Sequence, residues 1–219
     1  MRLKPRIKIC CISNVQEAQL AISAGADALG LVGEMPSGPG VIPDALIKAI
    51  VMTVPPPVAT FLLTSCTDIK SILEHHQRTQ ANTIQFVDAL PIEAYQQVRE
   101  AVSGIKLVQV VHVQGETSVK EAQRVAEQVD AILLDSGNPN LEVKELGGTG
   151  RIHDWVISRR ICESVSKPVF LAGGLNAANV REALEVVRPF GIDLCSGVRT
   201  NGQLDPYKLE KFFQAIEKA

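Results

Sequence analysis

Ile7-Lys8-Ile9-Cys10-Cys11-Ile12-Ser13-Asn14-Val15-Gln16-Glu17-Ala18 is the stretch on which the fold turns. An apolar, β-branched run ends at Ile12 and passes through Ser13-Asn14 into a helical pattern in which Ala18, Ala21 and Ile22 share one face. Asn14 is placed to cap that helix, with Glu17 three residues on in the manner of a capping box. A strand running straight into a helix begins a βαβ unit, which belongs to an open doubly wound sheet or to a closed barrel. The open sheet would want Gly-x-Gly-x-x-Gly after its first strand, and Ser13-Asn14-Val15 offers no glycine there.

Outward from this stretch the alternation repeats eight times without a long linker. Strands are predicted at Ile7–Ile12, Ala28–Val32, Val58–Leu63, Thr83–Val87, Lys106–His112, Ala131–Leu134, Pro168–Ala172 and Ile192–Cys195. Helices are predicted between and after them, at Val15–Ala24, Pro43–Met52, Thr67–Gln77, Pro91–Ser103, Ser118–Gln128, Ile152–Ser164, Ala177–Val187 and Pro206–Ile216. The strands are continuously apolar rather than alternating, which indicates burial on both faces. The expected architecture is α/β, a single (β/α)8 TIM barrel over residues 1–219, near the small end of that fold's range.

Composition narrows the function. The chain has 219 residues, 46% hydrophobic and 21% charged, with a formal net charge of -2, and no Lys/Arg stripe marks a nucleic-acid or anionic-membrane surface. No apolar run approaches the roughly 20 residues of a bilayer span, and Met1-Arg2-Leu3-Lys4-Pro5 lacks the apolar centre of a signal peptide, so a cytoplasmic address is expected. Five cysteines without C-x-x-C or Cys/His spacing suggest neither a disulfide framework nor a metal site. Most of these thiols should be reduced and buried.

In a barrel, chemistry gathers at the carboxyl ends of the strands, and phosphate commonly sits in the loops after strands seven and eight. A thiol stands at such an end in Cys10-Cys11. One of the two faces the interior, and a one-residue slip in register would exchange them. Cysteine is also a common small buried hydrophobe. Asp135 ends strand six after Ile132-Leu133-Leu134, where an apolar wall would raise its pKa, or it merely caps the following turn. Gly173-Gly174 and Ser196-Gly197 each follow an apolar strand, and their N–H groups can converge on one phosphate. Gly147-Gly148-Thr149-Gly150 alone is weaker, since glycine clusters are usually turns. His112 ends strand five and is placed to face the site; His75 and His76 read as solvated.

Taken together, Lys8-Ile9-Cys10-Cys11-Ile12, Gly25-Ala26-Asp27-Ala28-Leu29-Gly30, Leu134-Asp135, Gly147-Gly148-Thr149-Gly150 with Asp154-Trp155, Leu171-Ala172-Gly173-Gly174-Leu175 with Asn179-Val180, and Asp193 through Ser196-Gly197-Val198 resemble the phosphoribosylanthranilate isomerase family of tryptophan biosynthesis, over essentially the whole chain. The resemblance implies a cofactor-independent Amadori rearrangement of a phosphorylated aminoaldose to an aminoketose. It implies Cys10 as the general base at the sugar C2 and Asp135 as the general acid at the ring oxygen. Gly148, Thr149, Gly173, Gly174, Ser196 and Gly197 would bind the phosphate, and Lys8 would help to lower the Cys10 pKa. A phosphorylated small molecule is the implied partner, and the protein is expected to be a monomer or a homodimer.

The departures fall at the aromatic end of the implied substrate. Where the family has Ser-Pro-Arg after strand two, this chain has Met35-Pro36-Ser37-Gly38-Pro39-Gly40. Gln-Leu-His-Gly becomes Gln85-Phe86-Val87-Asp88, Ser-Gly-Val-Glu becomes Ser196-Gly197-Val198-Arg199, and Cys11 replaces a glycine. Three readings follow. In the first, a diverged isomerase uses Arg199, with His112, to meet the displaced carboxylate, and Lys8 and Gln85 are further substrate contacts. In the second, a paralogue acts on a different phosphorylated sugar or aminosugar. In the third, a phosphometabolite-binding barrel has lost its activity.

Overall fold

The computed structural model describes residues 4–137 and 152–217. Eight parallel strands close on themselves in sequence order: β1 (Arg6–Ile9), β2 (Ala28–Val32), β3 (Ala59–Thr64), β4 (Thr83–Phe86), β5 (Lys106–His112), β6 (Ala131–Asp135), β7 (Val169–Leu171) and β8 (Gly191–Leu194). The ring is sealed where β8 returns to β1, with Ile9 level with Leu194. The helices α1 (Val15–Ala24), α2 (Asp44–Val51), α3 (Ile69–Thr79), α4 (Ile92–Ala101), α5 (Thr117–Ala126), α6 (Trp155–Ser164), α7 (Val180–Val187) and α8 (Pro206–Glu217) follow the strands in turn. This is the (β/α)8 barrel that the sequence pattern called for. Among the described residues no helix is long and apolar enough to cross a membrane.

The two-residue period of the strands divides their side chains between two cores. Leu29 and Leu31 of β2, like Ile132 and Leu134 of β6, face outward into the layer shared with the helices. Ala28, Val32, Leu133 and Phe170 fill the interior instead. Both faces are dry, which is the physical reason for the unbroken apolar runs. Phe61 and Phe170 meet edge to face inside the barrel, with ring centroids 6.1 Å apart.

Capping chemistry sets several helix ends. Asn14 Oδ1 accepts from Glu17 N–H at 2.8 Å, and the Glu17 carboxylate accepts from Ser13 N–H at 2.9 Å, so two otherwise orphaned donors at the start of α1 are satisfied. Helix α1 ends on Gly25 at φ 106°, a left-handed turn that a side chain would strain. Helix α6 begins at Trp155 rather than Ile152, because Asp154 Oδ1 accepts from Val156 N–H at 2.8 Å and caps it. Helix α7 begins at Val180 rather than Ala177. Asn176 Oδ1 accepts from Ala178 N–H and Asn179 Oδ1 from Asn176 N–H, both at 2.9 Å, which holds that stretch as a turn.

Three further differences from the sequence reading bear on the site. Strand β1 stops at Ile9, short of Ile12, because Cys11 takes a left-handed backbone at φ 61° and breaks the pleat. After β8 the chain makes a 3-10 turn at Ser196–Val198 and a small hairpin, β9 (Arg199–Thr200) with β10 (Gln203–Leu204), neither of which the sequence announced. His75 is buried rather than solvated, with Nδ1 2.9 Å from Thr64 Oγ1. It fits because Gly33 has no side chain: a Cβ there would lie 2.2 Å from the His75 ring.

Candidate active site at the carboxyl end of the barrel

The carboxyl ends of the strands surround a cavity of ≈ 670 Å³, counted to its open mouth. Cys10, Gln85, Asp135 and Asp193 supply its polar groups, the side chains of Val32, Leu63, Val87 and Ala172 its apolar walls, and Gly173, Gly174, Cys195 and Ser196 one rim. Met35, Ser37, Gly38 and Pro39 from the loop after β2 line it as well, and Pro39 O accepts from the Cys11 thiol at 3.6 Å. No cationic side chain appears among the described residues lining it.

Cys10 lies one residue past the last paired position of β1 and shares the inward parity of Lys8. Space for both comes from Gly30 on the next strand, where a Cβ would sit 2.6 Å from Cys10 Sγ and 3.0 Å from Lys8 Nζ. Lys8 is fully buried, and its ammonium donates to Asp193 Oδ1 at 2.9 Å while lying 5.3 Å from the Phe61 ring centroid. Burial works against its charge, but the Asp193 carboxylate and the two thiols outweigh that and hold its pKa above the ordinary lysine range. Lys8 is therefore a fixed positive charge beneath Cys10.

The Cys10 thiol is displaced downward. The chief cause is the Cys11 thiol beside it, which donates toward a Cys10 thiolate; the Lys8 charge adds to this, and together they overcome burial. Cys11 is displaced upward by the same hydrogen bond, by its contact with Cys195 and by burial, so it keeps its proton. The left-handed φ that ends β1 turns Cys11 into the cavity as well, and the question of which cysteine faces the pocket is answered by both.

Asp135 is displaced the other way. Burial raises its pKa, Asp193 adds to the rise, and donation from Ser136 N–H at 2.7 Å together with the neighbouring His112 only partly offsets it. Asp193 too is raised by burial, with Lys8 pulling against it. Gln85 Oε1 is buried without a hydrogen-bond partner among the described residues, an acceptor in want of a donor at the wall of the cavity. Asp193 was not singled out as a site residue from sequence, although its place one turn before Ser196-Gly197 on the inward face of β8 was the available sign.

The two glycine loops meet. Gly173 and Gly174 both have positive φ, at 85° and 64°. A Cβ on Gly197 would fall 1.9 Å from Leu175 O, so the loops after β7 and β8 touch backbone to backbone. The Asn176 and Asn179 side-chain amides both donate to Gly174 O, at 3.2 and 3.0 Å, and fix the first loop. Gly148 and Thr149 lie outside the described residues.

The other proposed substrate contacts need correction. Arg199 does not line the cavity. The 3-10 turn after β8 carries it past the rim, and its guanidinium is buried against Glu17 at 2.9 and 3.0 Å, with further donation to the carbonyls of Cys10, Cys11 and Gly202. Glu17, missed except as a cap, takes Leu204 N–H at 2.7 Å as well. Burial alone would raise its pKa, yet Arg199 and the two N–H donors hold it below the ordinary range. His112 shares the inward parity of β5, but its Nε2 is engaged with Val87 O at 3.1 Å and the residue does not line the cavity. Lys8 likewise stays beneath the floor rather than reaching into the pocket.

A family model described as N-(5'-phosphoribosyl)anthranilate (PRA) isomerase matches residues 7–215. N-(5'-phosphoribosyl)anthranilate isomerase 2 of Methanosarcina mazei is 36% identical over 209 residues, covering 94% of this chain and 92% of that protein. Among solved structures, phosphoribosyl anthranilate isomerase from Thermotoga maritima superposes with a TM-score of 0.83 at 30% identity, over 98% of this chain and all of that one. Another phosphoribosyl anthranilate isomerase, crystallised with reduced 1-(o-carboxyphenylamino)-1-deoxyribulose 5-phosphate, gives a TM-score of 0.81 at 28% identity, over 98% of this chain and all of that one.

Proposed function

The chain belongs to the N-(5'-phosphoribosyl)anthranilate isomerase family and is an isomerase of that kind, and from this premise we propose that Cys10 and Asp135 are the base and acid of its Amadori rearrangement. The observation that supports this reading most is the opposite displacement of two ionisable groups on one cavity: a thiol pushed toward thiolate and a carboxyl pushed toward its acid form. Proton chemistry near neutrality needs that pairing.

The neutral Asp135 carboxyl gives its proton to the ring oxygen of the phosphorylated aminoaldose, the C1–O bond breaks, and the nitrogen lone pair forms an iminium at C1. Cys10 thiolate then takes the C2 proton, and the electron pair of that bond neutralises the iminium to give the enaminol. A proton moves from O2 to C1 to complete the aminoketose, and return of one proton from the Cys10 thiol to the Asp135 carboxylate restores both groups. Lys8 and the Cys11 thiol stabilise the thiolate at the start of the cycle. The touching loops at Gly173-Gly174 and Ser196-Gly197 hold the phosphate with backbone N–H groups, which orients C1 and C2 between base and acid.

Turnover of N-(5'-phosphoribosyl)anthranilate, followed by loss of its fluorescence, tests the reading on the intact protein and on Cys10→Ser and Asp135→Asn. Each substitution should lower kcat by about 10²–10⁴-fold, the usual worth of a positioned acid or base. Either variant turning over at the rate of the intact protein would overturn its assigned role.

A further inference from the structure

Cys195, at the rim of the cavity, has no part in the proton transfers above, yet its sulfur lies 2.7 Å from that of Cys11. The two residues stand on adjoining strand ends. The β1–β8 ladder runs to Ile9 level with Leu194, and Cys10 N–H donates to Leu194 O at 2.7 Å beyond it. Continued one step, that register sets Cys10 level with Cys195 and Cys11 one residue beyond it, where the Cys11 and Cys195 side chains converge. The backbone also makes room for the Cys11 thiol. Cys11 holds a left-handed φ of 61°, a conformation that glycine adopts freely. Gly40, in the loop after β2, has no side chain to collide with it: a Cβ there would lie 2.5 Å from Cys11 Cβ.

We propose that Cys11 and Cys195 are a thiol-modification site, forming a reversible disulfide that silences the Cys10 base, with a low-molecular-weight disulfide as the oxidant. The functional half of this rests on the isomerase reading; the covalent half does not. Cys195 is half-buried where Cys10 and Cys11 are buried, and is the thiol of the cavity that the reagent meets first. Its thiolate attacks one sulfur of the reagent RSSR, forming the Cys195 mixed disulfide and releasing RS⁻. The neighbouring Cys10 thiolate takes the Cys11 proton as Cys11 Sγ attacks Cys195 Sγ and displaces the second RS⁻, to which that proton then passes. Two protein thiols are oxidised, two RS⁻ leave and take up the two protons, and no other electron acceptor is needed. Bonding requires the sulfurs to close from 2.7 Å to about 2.05 Å, a movement within reach of side-chain rotation.

Once bonded, Cys11 has no S–H to donate. The thiolate form of Cys10 loses its principal stabiliser, only Lys8 and the Cys11 backbone hydrogen bond remain to oppose burial and Asp193, and the base reverts toward the thiol. The same bond ties the end of β1 to the loop after β8, stiffening the rim through which substrate and product pass. Reduction by an excess of RSH reverses both effects.

The test uses the full chain, incubated with oxidised glutathione, quenched with N-ethylmaleimide and divided between tandem mass spectrometry and the fluorescence assay. The expected result is a Cys11–Cys195 cross-link, at least tenfold lower kcat/KM in the cross-linked fraction, and full recovery with dithiothreitol. In Cys195→Ala the ratio of treated to untreated activity should stay near one, whatever the basal rate of that variant. A cross-link between Cys10 and Cys11, stable glutathione adducts without any cross-link, or a Cys11–Cys195 bond that leaves activity unchanged would each overturn the proposal. Absence of activity in the reduced protein would count against the isomerase reading instead, and the mass spectrum would still decide whether the bond forms.

Discussion

Replacing Arg199 with alanine should unfold this barrel more readily rather than weaken its grip on substrate. The Arg199–Glu17 pair is buried on both sides, with side-chain exposures of 7% and 8%, and Glu17 also takes the N–H groups of Ser13 and Leu204. Removing one partner leaves the other charge buried and uncompensated, a loss of about 3–5 kcal/mol. At about 2–4 °C per kcal/mol for a chain of this size, Tm should fall by roughly 6–20 °C. Arg199→Lys should fall between alanine and the intact protein, because a lysine keeps the charge and loses the fork. Glu17→Gln combined with Arg199→Met should recover part of the loss, since two neutral groups leave no stranded charge. The sign of the pH dependence follows from Glu17. Its folded pKa lies below the ordinary 4.5, so its stabilisation is complete above that value and is lost as pH falls through the folded pKa. Thermal melts followed by circular dichroism at pH 7 and at progressively lower pH supply the measurement. An unchanged Tm with KM raised tenfold or more would refute the reasoning and return Arg199 to the substrate.

Lys8→Met should move the acid limb of kcat/KM to higher pH, because the Cys10 thiolate loses a positive neighbour, and should lower Tm because Asp193 is left unpaired; a lower Tm with an unmoved limb would confine Lys8 to a structural role. Gly197→Ala places a methyl within 1.9 Å of Leu175 O and should force the two glycine loops apart, raising KM for the phosphorylated substrate at least tenfold if they bind its phosphate. Inorganic phosphate inhibition measured on the same variant should weaken in parallel, and an unchanged inhibition constant would remove these loops from phosphate binding.

Much of this barrel was legible because its rules are local. Continuous apolar strands, the Asn14 cap and the missing glycine after Ile12 each report on a few neighbouring residues, and the structure agrees with all of them. Cys10 and Asp135 could be placed at the mouth of the barrel because they stand where strands stop, and both line the cavity. What stayed hidden depends on residues far apart in the chain. Nothing near Arg199 announces a partner 182 positions away at Glu17, and the 3-10 turn that sends it there has no strong signature. His75 looked solvated because its own helix is polar; the space that buries it is at Gly33 on another element. The strand slip that left Cys10 and Cys11 interchangeable was resolved by a backbone conformation, φ 61° at Cys11, that a non-glycine residue gives no reason to expect.

The proposed mechanism needs Cys10 held ready as a thiolate. Its ionisation can be read directly as the pH dependence of Cys10 alkylation by iodoacetamide, resolved peptide by peptide on the reduced intact protein. Half-maximal reactivity should fall below the ordinary thiol value of about 8.5 and rise in Lys8→Met. A Cys10 that titrates at or above the ordinary value, unmoved by loss of Lys8, would contradict it.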